Sequence, residues 1–159
     1  MLIVRQEQPD HLAAQLDARL CEFNKDHVGP RRNEKLALAI REDDRLLAGL
    51  FAEIVWNALH IDLLWVAAEH RRRGYGRALV RQAEEFARER ACDVAYLSTF
   101  DFQGPPFYVA MGYAVIGELV GVPRGSRRLW FGKTLTEEDD RLRTSESIRP
   151  SSLPPDPSG

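Results

Sequence analysis

The sequence predicts an α/β domain in which helices cover both faces of a mixed central β-sheet. Apolar residues alternate in some segments, as in strands, and recur at helical spacing in others. The predicted strands occur both in consecutive runs, which form antiparallel hairpins, and singly between helices, which form parallel crossovers. A length of 159 residues suits one domain with a sizeable core.

The predicted order is strand, helix, three strands, helix, strand, helix and two strands. The strands are expected at residues 2–7, 35–41, 46–56, 60–66, 93–99, 113–119 and 128–135. Asp10 is the expected N-cap of the first helix, whose apolar face would carry Leu12, Leu16, Leu20 and Phe23. The other helices are expected over residues 75–90 and from Pro105 to about Gly112.

Composition excludes several classes of protein. Lys and Arg total 22 and Asp and Glu total 24, so no global field for nucleic acid is expected. No apolar run approaches the roughly 20 residues of a membrane span. Cys21 and Cys92 are far apart, which favours buried free thiols over a disulfide or a metal site. A cytoplasmic protein without a metal is therefore expected.

The most informative segment lies between a predicted strand and a long helix. It consists of Arg71, Arg72, Arg73, Gly74, Tyr75, Gly76 and Arg77. A glycine turn at a helix N-terminus directs unpaired backbone N–H groups at one point, where the helix dipole is positive. The four arginines add further positive charge. This pattern favours a phosphorylated ligand, and an ordinary exposed basic turn is the alternative.

Two other phosphate-binding loops do not match this segment. The P-loop requires Lys-Ser or Lys-Thr after its glycines, and the only Lys-Thr pair is Lys133-Thr134, in a predicted late strand. The dinucleotide fingerprint requires a third glycine where Leu79 stands.

The spacing Arg71-x-x-Gly74-x-Gly76 resembles the acetyl-CoA pyrophosphate loop of the GNAT superfamily of N-acetyltransferases. Two further motifs are similar to those of bacterial GNAT proteins. One is the strand Ile-Asp-Leu-Leu-Trp-Val at 61–66, and the other is Thr-Phe-Asp-Phe-Gln-Gly-Pro-Pro-Phe-Tyr at 99–108, followed by Met-Gly-Tyr at 111–113. The order of elements is also that of the GNAT (acyl-CoA N-acyltransferase) fold, and the resemblance covers residues 1–135.

The chain after this domain has a different composition. Residues 136–159 are charged and then rich in Ser and Pro, with almost no apolar content. Such a segment buries too little surface to offset its ordering entropy, so a disordered tail is expected.

The resemblance implies that acetyl-CoA is the co-substrate and binds where the strand at 61–66 parts from the strand at 93–99. Trp65 and Val66 would pair with the pantetheine as an added strand would. The N–H groups from Arg72 to Arg77 would hold the pyrophosphate, and Arg71 fills the basic position of the motif. Gly74 and Gly76 would allow close approach or a positive φ. Gln103 and Phe107 would complete the cofactor site.

Tyr108 occupies the position at which GNAT enzymes commonly have a tyrosine. A phenol can protonate the departing CoA thiolate at neutral pH. A packed aromatic residue is the alternative.

The base is open. His60, Asp62, Leu64 and Val66 are expected on one face of their strand, since side chains alternate. The resemblance implies a Glu or His near these positions, and an imidazole changes charge near neutral pH, which favours His60. Asp62 would orient it or bind the ammonium. Glu53 is a third candidate, and a mechanism without a base is the alternative.

The sequence therefore predicts an N-acetyltransferase that transfers an acetyl group directly to a primary amine in a ternary complex. The acceptor is a small molecule or a peptide, and Trp56, Trp65, Phe100, Phe102 and Phe107 are candidates to line its site. A non-catalytic acetyl-CoA sensor and a nucleic-acid binder are the alternatives, and the near-neutral charge disfavours the latter. An unpaired last strand would support a homodimer.

Overall fold

The computed structural model describes residues 4–136. Its elements in chain order are α1 Pro9–Val28, β1 Asn33–Glu42, β2 Arg45–Val55, β3 Ala58–Val66, α2 Tyr75–Arg88, β4 Val94–Phe100, α3 Pro105–Ala110, β5 Ala114–Val120 and β6 Arg127–Thr134. A short 3₁₀ turn, Ala68–His70, precedes α2. The mixed α/β class is confirmed, and the predicted tail lies outside the described residues except for Thr136.

The six strands form one sheet in the order β1-β2-β3-β4-β6-β5. Only β3 and β4 are parallel to one another, and α2 forms the crossover between them. The other neighbours are antiparallel. The expectation that the last strand is unpaired is wrong, because β6 lies between β4 and β5. The edge strand on this side of the sheet is β5, which forms an antiparallel hairpin with β6.

The core lies between the sheet and α2. Leu79, Val80, Ala83 and Ala87 are buried on one side of α2, at the helical spacing that the sequence predicts. They pack with inward-facing strand residues, among them Ile54, Leu59 and Leu97, which are at most 1% exposed. Burying each such side chain stabilises the fold by about 1.5–3 kcal/mol. This packing holds α2 against β2 and β3.

The N-terminal predictions require correction. The part of the expected strand that is described, residues 4–7, forms no strand, and Val4 is fully exposed. A strand needs a partner edge, which an apolar run does not supply by itself. Gln8 rather than Asp10 caps α1, since the Gln8 side chain accepts a hydrogen bond from the Asp10 N–H group.

The apolar face predicted for the first helix is not part of the core. No residue of α1 is buried, and Leu16, Leu20 and Phe23 are each more than half exposed. Periodicity predicts a helix and its apolar side, but not which surface that side meets. Both cysteines are free, with Cys92 buried and Cys21 partly exposed.

A buried ionic cluster links α2 to β6. Glu84 on α2 is 2% exposed, and both of its carboxylate oxygens accept hydrogen bonds from Lys133 Nζ at 2.8 Å. The Tyr113 hydroxyl donates to Glu84 Oε1 at 3.0 Å. Lys133 Nζ also donates to the Met111 carbonyl at 2.9 Å. The cluster thus holds the turn after α3, and with it the C-terminal end of that helix.

Candidate active site

Strands β3 and β4 pair at their beginnings and then part. The parallel ladder joins Ala58 through Ile61 to Val94 through Leu97 and ends there. A bulge in the pairing of β2 with β3 coincides with this point, because Ala52 opposes Ile61 while Phe51 opposes Leu63, which leaves Asp62 without a partner. The parting that the resemblance implied is therefore present, and it opens a cleft through the sheet.

The bulge overturns the expectation that His60, Asp62, Leu64 and Val66 share one face. Leu59 and Ile61 are buried before the bulge, whereas Leu64 and Val66 pack on the core after it. The extra residue reverses the alternation, so Leu64 and Val66 lie on the face opposite His60.

The cleft has a volume of about 1050 Å³ and is open to solvent. Most of the residues predicted for the site line it. They are Asp62, Trp65, Val66, Arg71, Arg72, Gly74, Tyr75, Gly76, Arg77, Gln103, Phe107 and Tyr108. His60 and Arg73 are not among the lining residues. The structure thus brings three separate segments of the chain around one space.

One end of the cleft is the N-terminus of α2. Gly74 is the N-cap, in the left-handed region at φ 86°, and no side chain caps this end of the helix. The first turn contains no acidic residue. The first intrahelical hydrogen bond runs from the Ala78 N–H group to the Gly74 carbonyl at 2.9 Å, so the N–H groups of Tyr75, Gly76 and Arg77 have no acceptor within the helix. Their donors and the helix dipole make this end suited to an anion.

Arginines surround this end in different ways. Arg71 Nε donates to the Val66 carbonyl at 3.2 Å, which ties the loop to the end of β3. Arg72 has a positive φ of 60°, as a tight turn requires, although it is not a glycine. Arg71, Arg72 and Arg77 line the cleft. Their guanidinium groups are the donors available for phosphate oxygens.

The second wall is α3 and the turn before it. A Cβ carbon built on Gly76 would contact the Phe107 ring at 3.4 Å and Val66 at 3.6 Å, so the two helices approach closely here. The Gln103 Oε1 atom accepts hydrogen bonds from the Phe100 N–H group at 3.1 Å and the Thr99 hydroxyl at 3.3 Å. Gln103 therefore braces the turn that leads into α3, and its amide nitrogen is the remaining donor.

Tyr108 lies on α3 with its ring in the core and in contact with the cleft. It is 8% exposed, and its ring packs against Phe107 at 5.1 Å and Phe131 at 5.8 Å between centroids. Burial raises the pKa of the Tyr108 hydroxyl above its ordinary value, because the phenolate would be poorly solvated. The hydroxyl therefore stays protonated at neutral pH and can donate a proton.

The candidate bases occupy different places. Asp62 is exposed at the bulge and lines the cleft. His60 instead stacks on Tyr96 at 4.7 Å between ring centroids, and its Nδ1 atom lies 3.8 Å from Glu53 Oε1. His60 and Glu53 thus form a pair on the sheet face that carries Ser98 and Phe100.

The aromatic residues predicted to line the acceptor site also lie in different places. Trp65, Phe100, Phe102 and Phe107 line the cleft. Trp56 does not line the cleft. It lies in the turn between β2 and β3, with a positive φ of 53°, at the opposite end of β3 from the glycine loop.

His70, Ser98 and Arg128 are among the lining residues that sequence reasoning missed. Arg128 Nε and Nη2 both donate to the Ser98 hydroxyl, at 3.0 and 2.7 Å. His70 stacks on Tyr75, and its buried Nδ1 atom has no hydrogen-bond partner within residues 4–136. The pairing of β4 with β6 brings Ser98 and Arg128 together, although they are 30 residues apart in the sequence. In the sequence, only the alternation of side chains along each strand indicates that the two residues lie on one face.

Within the described part of the chain, no three His, Cys, Asp or Glu side chains are grouped so that they could hold a metal ion. No helix in residues 4–136 has the length and apolar character needed to span a membrane.

Comparisons with known proteins agree with this geometry. The chain is 40% identical over 88 residues to a blasticidin-S acetyltransferase of Streptomyces morookaense, covering 55% of this chain and 65% of that protein, which is less than two thirds of its length. It is 30% identical to an acetyltransferase of Agrobacterium fabrum, covering 72% of this chain and 84% of that protein.

Among solved structures, an acetyltransferase from Bacillus cereus superposes with a TM-score of 0.76 at 26% identity, covering 84% of this chain and 97% of that chain. Structures of the same fold include complexes with coenzyme A and with acetyl-CoA. The model of the Acetyltransferase (GNAT) family matches residues 3–113, which include β3, the glycine loop, α2 and Tyr108. With its parted strands, its uncapped helix and this match, the chain belongs to the Acetyltransferase (GNAT) family.

Proposed function

We propose that the protein is an N-acetyltransferase that moves the acetyl group of acetyl-CoA directly to a primary amine in a ternary complex. One observation carries the proposal: a single cleft joins the uncapped N-terminus of α2 to Tyr108 through the gap between β3 and β4. The proposal includes a cytoplasmic location and no need for a metal, nucleic acid or membrane.

The chain's own groups would hold the diphosphate and the pantetheine of the cofactor. The N–H groups from Arg72 to Arg77 would bind the diphosphate, with Arg71 and Arg77 adding charge-assisted hydrogen bonds. Beyond Ile61, the edge of β3 toward β4 has no strand partner in the ladder. The pantetheine amides would pair with that edge near Trp65 and Val66, as an added strand would. This path leads the thioester toward Tyr108.

The reaction then requires three proton movements. The amine nitrogen attacks the thioester carbon, a C–N bond forms, and a tetrahedral intermediate results. The C–S bond breaks as the intermediate collapses, and Tyr108 donates its proton to the departing sulfur. The nitrogen then releases its second proton, which restores the Tyr108 phenol. The proton of the incoming ammonium leaves to a base before attack. His60 is our candidate for that base, through a water, while Asp62 holds the ammonium in the cleft.

A small-molecule acceptor is favoured over a protein amine. The Streptomyces relative is named for the antibiotic blasticidin-S, and the cleft of about 1050 Å³ accommodates a cofactor arm and a compact ligand. The aromatic rings of Trp65, Phe100 and Phe102 at the cleft would contact an apolar or cationic part of such an acceptor.

An acetyl-CoA sensor without turnover is the competing function, and one variant separates the two. Tyr108→Phe removes the proton donor but keeps the ring, so cofactor affinity should stay and amine-dependent thiol release should fall by about 10²-fold or more. Tyr113→Phe is the matched control, because it removes a buried hydroxyl that does not line the cleft. Equal rates in the two variants would refute the role of Tyr108, and absence of thiol release with every amine tested would favour the sensor.

A further inference from the structure

We propose that Arg128 and Asp62 select an acceptor that carries a carboxylate in addition to the amine that is acetylated. The inference rests on the proposed function and names the class of acceptor. Its basis is a fixed guanidinium and an opposite charge, both lining the cleft that serves the reaction.

Arg128 is held in place by its neighbours. Its two hydrogen bonds to the Ser98 hydroxyl use Nε and one hydrogen of Nη2. The guanidinium carbon lies 5.7 Å from the centroid of the Phe100 ring and 5.4 Å from that of Trp130. A guanidinium has five N–H donors, so three remain for a ligand. A planar fork with several spare donors is the geometry that recognises a carboxylate.

Arg128 also lacks an internal counter-charge. No ion pair involves it within residues 4–136, whereas its neighbour Arg127 is paired with Asp101 and Glu118. Arg127 does not line the cleft. Two successive arginines on β6 therefore differ in role: one balances acidic residues of the fold, and the other presents its charge to the open cleft.

The position of Arg128 separates it from the diphosphate site. Arg128 pairs with Phe100 across the β4–β6 ladder, and Ser98 lies two residues earlier on β4. Side chains at these positions share the face opposite Leu97 and Thr99, which are buried toward the α2 side. The N-terminus of α2 lies on that α2 side, beside Val66 and Phe107. The phosphates would thus occupy one side of the sheet, which leaves Arg128 for the acceptor on the other side.

Asp62 supplies the complementary charge. It is exposed at the bulge, lines the same cleft and forms no ion pair with the described residues. The Asp62 carboxylate on β3 and the Arg128 guanidinium on β6 come from the two strands on either side of β4, and both residues line the cleft. Together they match a ligand that carries an ammonium at one end and a carboxylate at the other, as an amino acid or an amino-acid-like compound does.

Matched acceptor pairs that differ only in a carboxylate test the inference. Tyrosine and tyramine, lysine and cadaverine, and arginine and agmatine would each be assayed for acetyl-CoA-dependent thiol release. We expect kcat/KM to favour the carboxylate member of the preferred pair by about 10- to 100-fold. Arg128→Ala should remove that preference by raising KM for the carboxylate member alone, and Ser98→Ala should reduce it, since it frees the guanidinium.

Arg127→Ala is the control that should leave the preference unchanged, and circular dichroism would verify the folding of each variant. Titration of the CoA-loaded protein with the same compounds repeats the comparison without turnover. A preference for the decarboxylated amines, or one that survives Arg128→Ala, would overturn the inference while the acetyltransferase stands. Absence of any coenzyme A binding would instead remove the proposed function, and the inference with it.

Discussion

Gly76 at the start of α2 lies directly against the ring of Phe107 on α3, so that an added Cβ carbon would sit 3.4 Å from the ring. That distance is an ordinary van der Waals contact. The two helices therefore meet closely at the mouth of the cleft, and their contact sets the distance between the N-terminus of α2 and Tyr108. The neighbouring Gly74 differs, because its φ of 86° is one that side-chain-bearing residues rarely adopt.

This contrast predicts different outcomes for two alanine substitutions. Gly74→Ala forces a Cβ into the left-handed region, which should lower the free energy of unfolding by about 1–2 kcal/mol. The strain would also turn the first N–H groups of α2, so coenzyme A affinity should fall about tenfold or more. Gly76→Ala is the matched control. It should leave the free energy of unfolding nearly unchanged and keep the coenzyme A affinity within about twofold. Urea denaturation and calorimetry measure the two quantities, and equal effects of the two substitutions would contradict this account.

Asp62 and His60 should affect different kinetic constants. Asp62→Asn removes the charge that faces the ammonium, so KM for the amine should rise about tenfold while acetyl-CoA affinity is unchanged. His60→Gln should lower the rate mainly at the acidic end of the pH profile, where deprotonation of the amine limits the reaction. Steady-state kinetics from pH 6 to 9 would show both effects. A His60→Gln profile that coincides with that of the unaltered protein would remove His60 from the mechanism.

The buried cluster around Glu84 should contribute strongly to stability. Lys133→Met leaves the Glu84 carboxylate without its main partner and should cost about 3–5 kcal/mol of unfolding free energy. Adding Glu84→Gln to it should recover part of that loss, because the uncompensated charge is gone. Asp17→Asn, which breaks an exposed pair with Arg31, should cost at most about 1 kcal/mol. Urea denaturation would reveal the non-additivity, and strictly additive losses would rule out the coupling.

Stability should decrease in alkaline solution. Burial, and then the neighbouring Glu84, raise the pKa of Tyr113, and burial raises that of Tyr108. A tyrosine in the unfolded chain ionises near pH 10. The pKa values of the two tyrosines are higher in the folded protein than in the unfolded chain. The stability that these protonated phenols contribute is therefore fully present below about pH 10 and is lost as the pH rises further. Thermal melts from pH 8 to 11 should show the loss, with a smaller decrease in Tyr113→Phe. An identical decrease in both proteins would mean that other groups cause it.

The sequence predicted well what depends on local pattern. The helix after the glycine loop, the short helix from Pro105 and the strands of the sheet follow from periodicity and turn residues, and the structure has them within a few residues. The left-handed Gly112 after the short helix also follows from its capping role. Most of the residues predicted for the cofactor line the cleft, and the sequence signals them because they are contiguous in the chain.

Features that depend on distant partners were not predictable in this way. The bulge at Asp62 arises from the pairing of β2 with β3, and it reverses a face assignment that strict alternation would give. The exposure of α1 depends on what packs against it rather than on its own pattern. Arg128 joins the cleft only because β6 inserts between β4 and β5 and places it beside Ser98.

The proposed function depends on the uncapped N-terminus of α2, which would hold the diphosphate of acetyl-CoA and thereby fix the thioester near Tyr108. Isothermal titration with coenzyme A, acetyl-CoA and acetyl-pantetheine tests this role. We expect one binding site for both forms of coenzyme A, and an affinity for acetyl-pantetheine that is weaker by about 100-fold, since the charge-assisted hydrogen bonds to the diphosphate are lost. Equal affinity for all three compounds, or no heat with coenzyme A, would show that α2 does not hold the diphosphate.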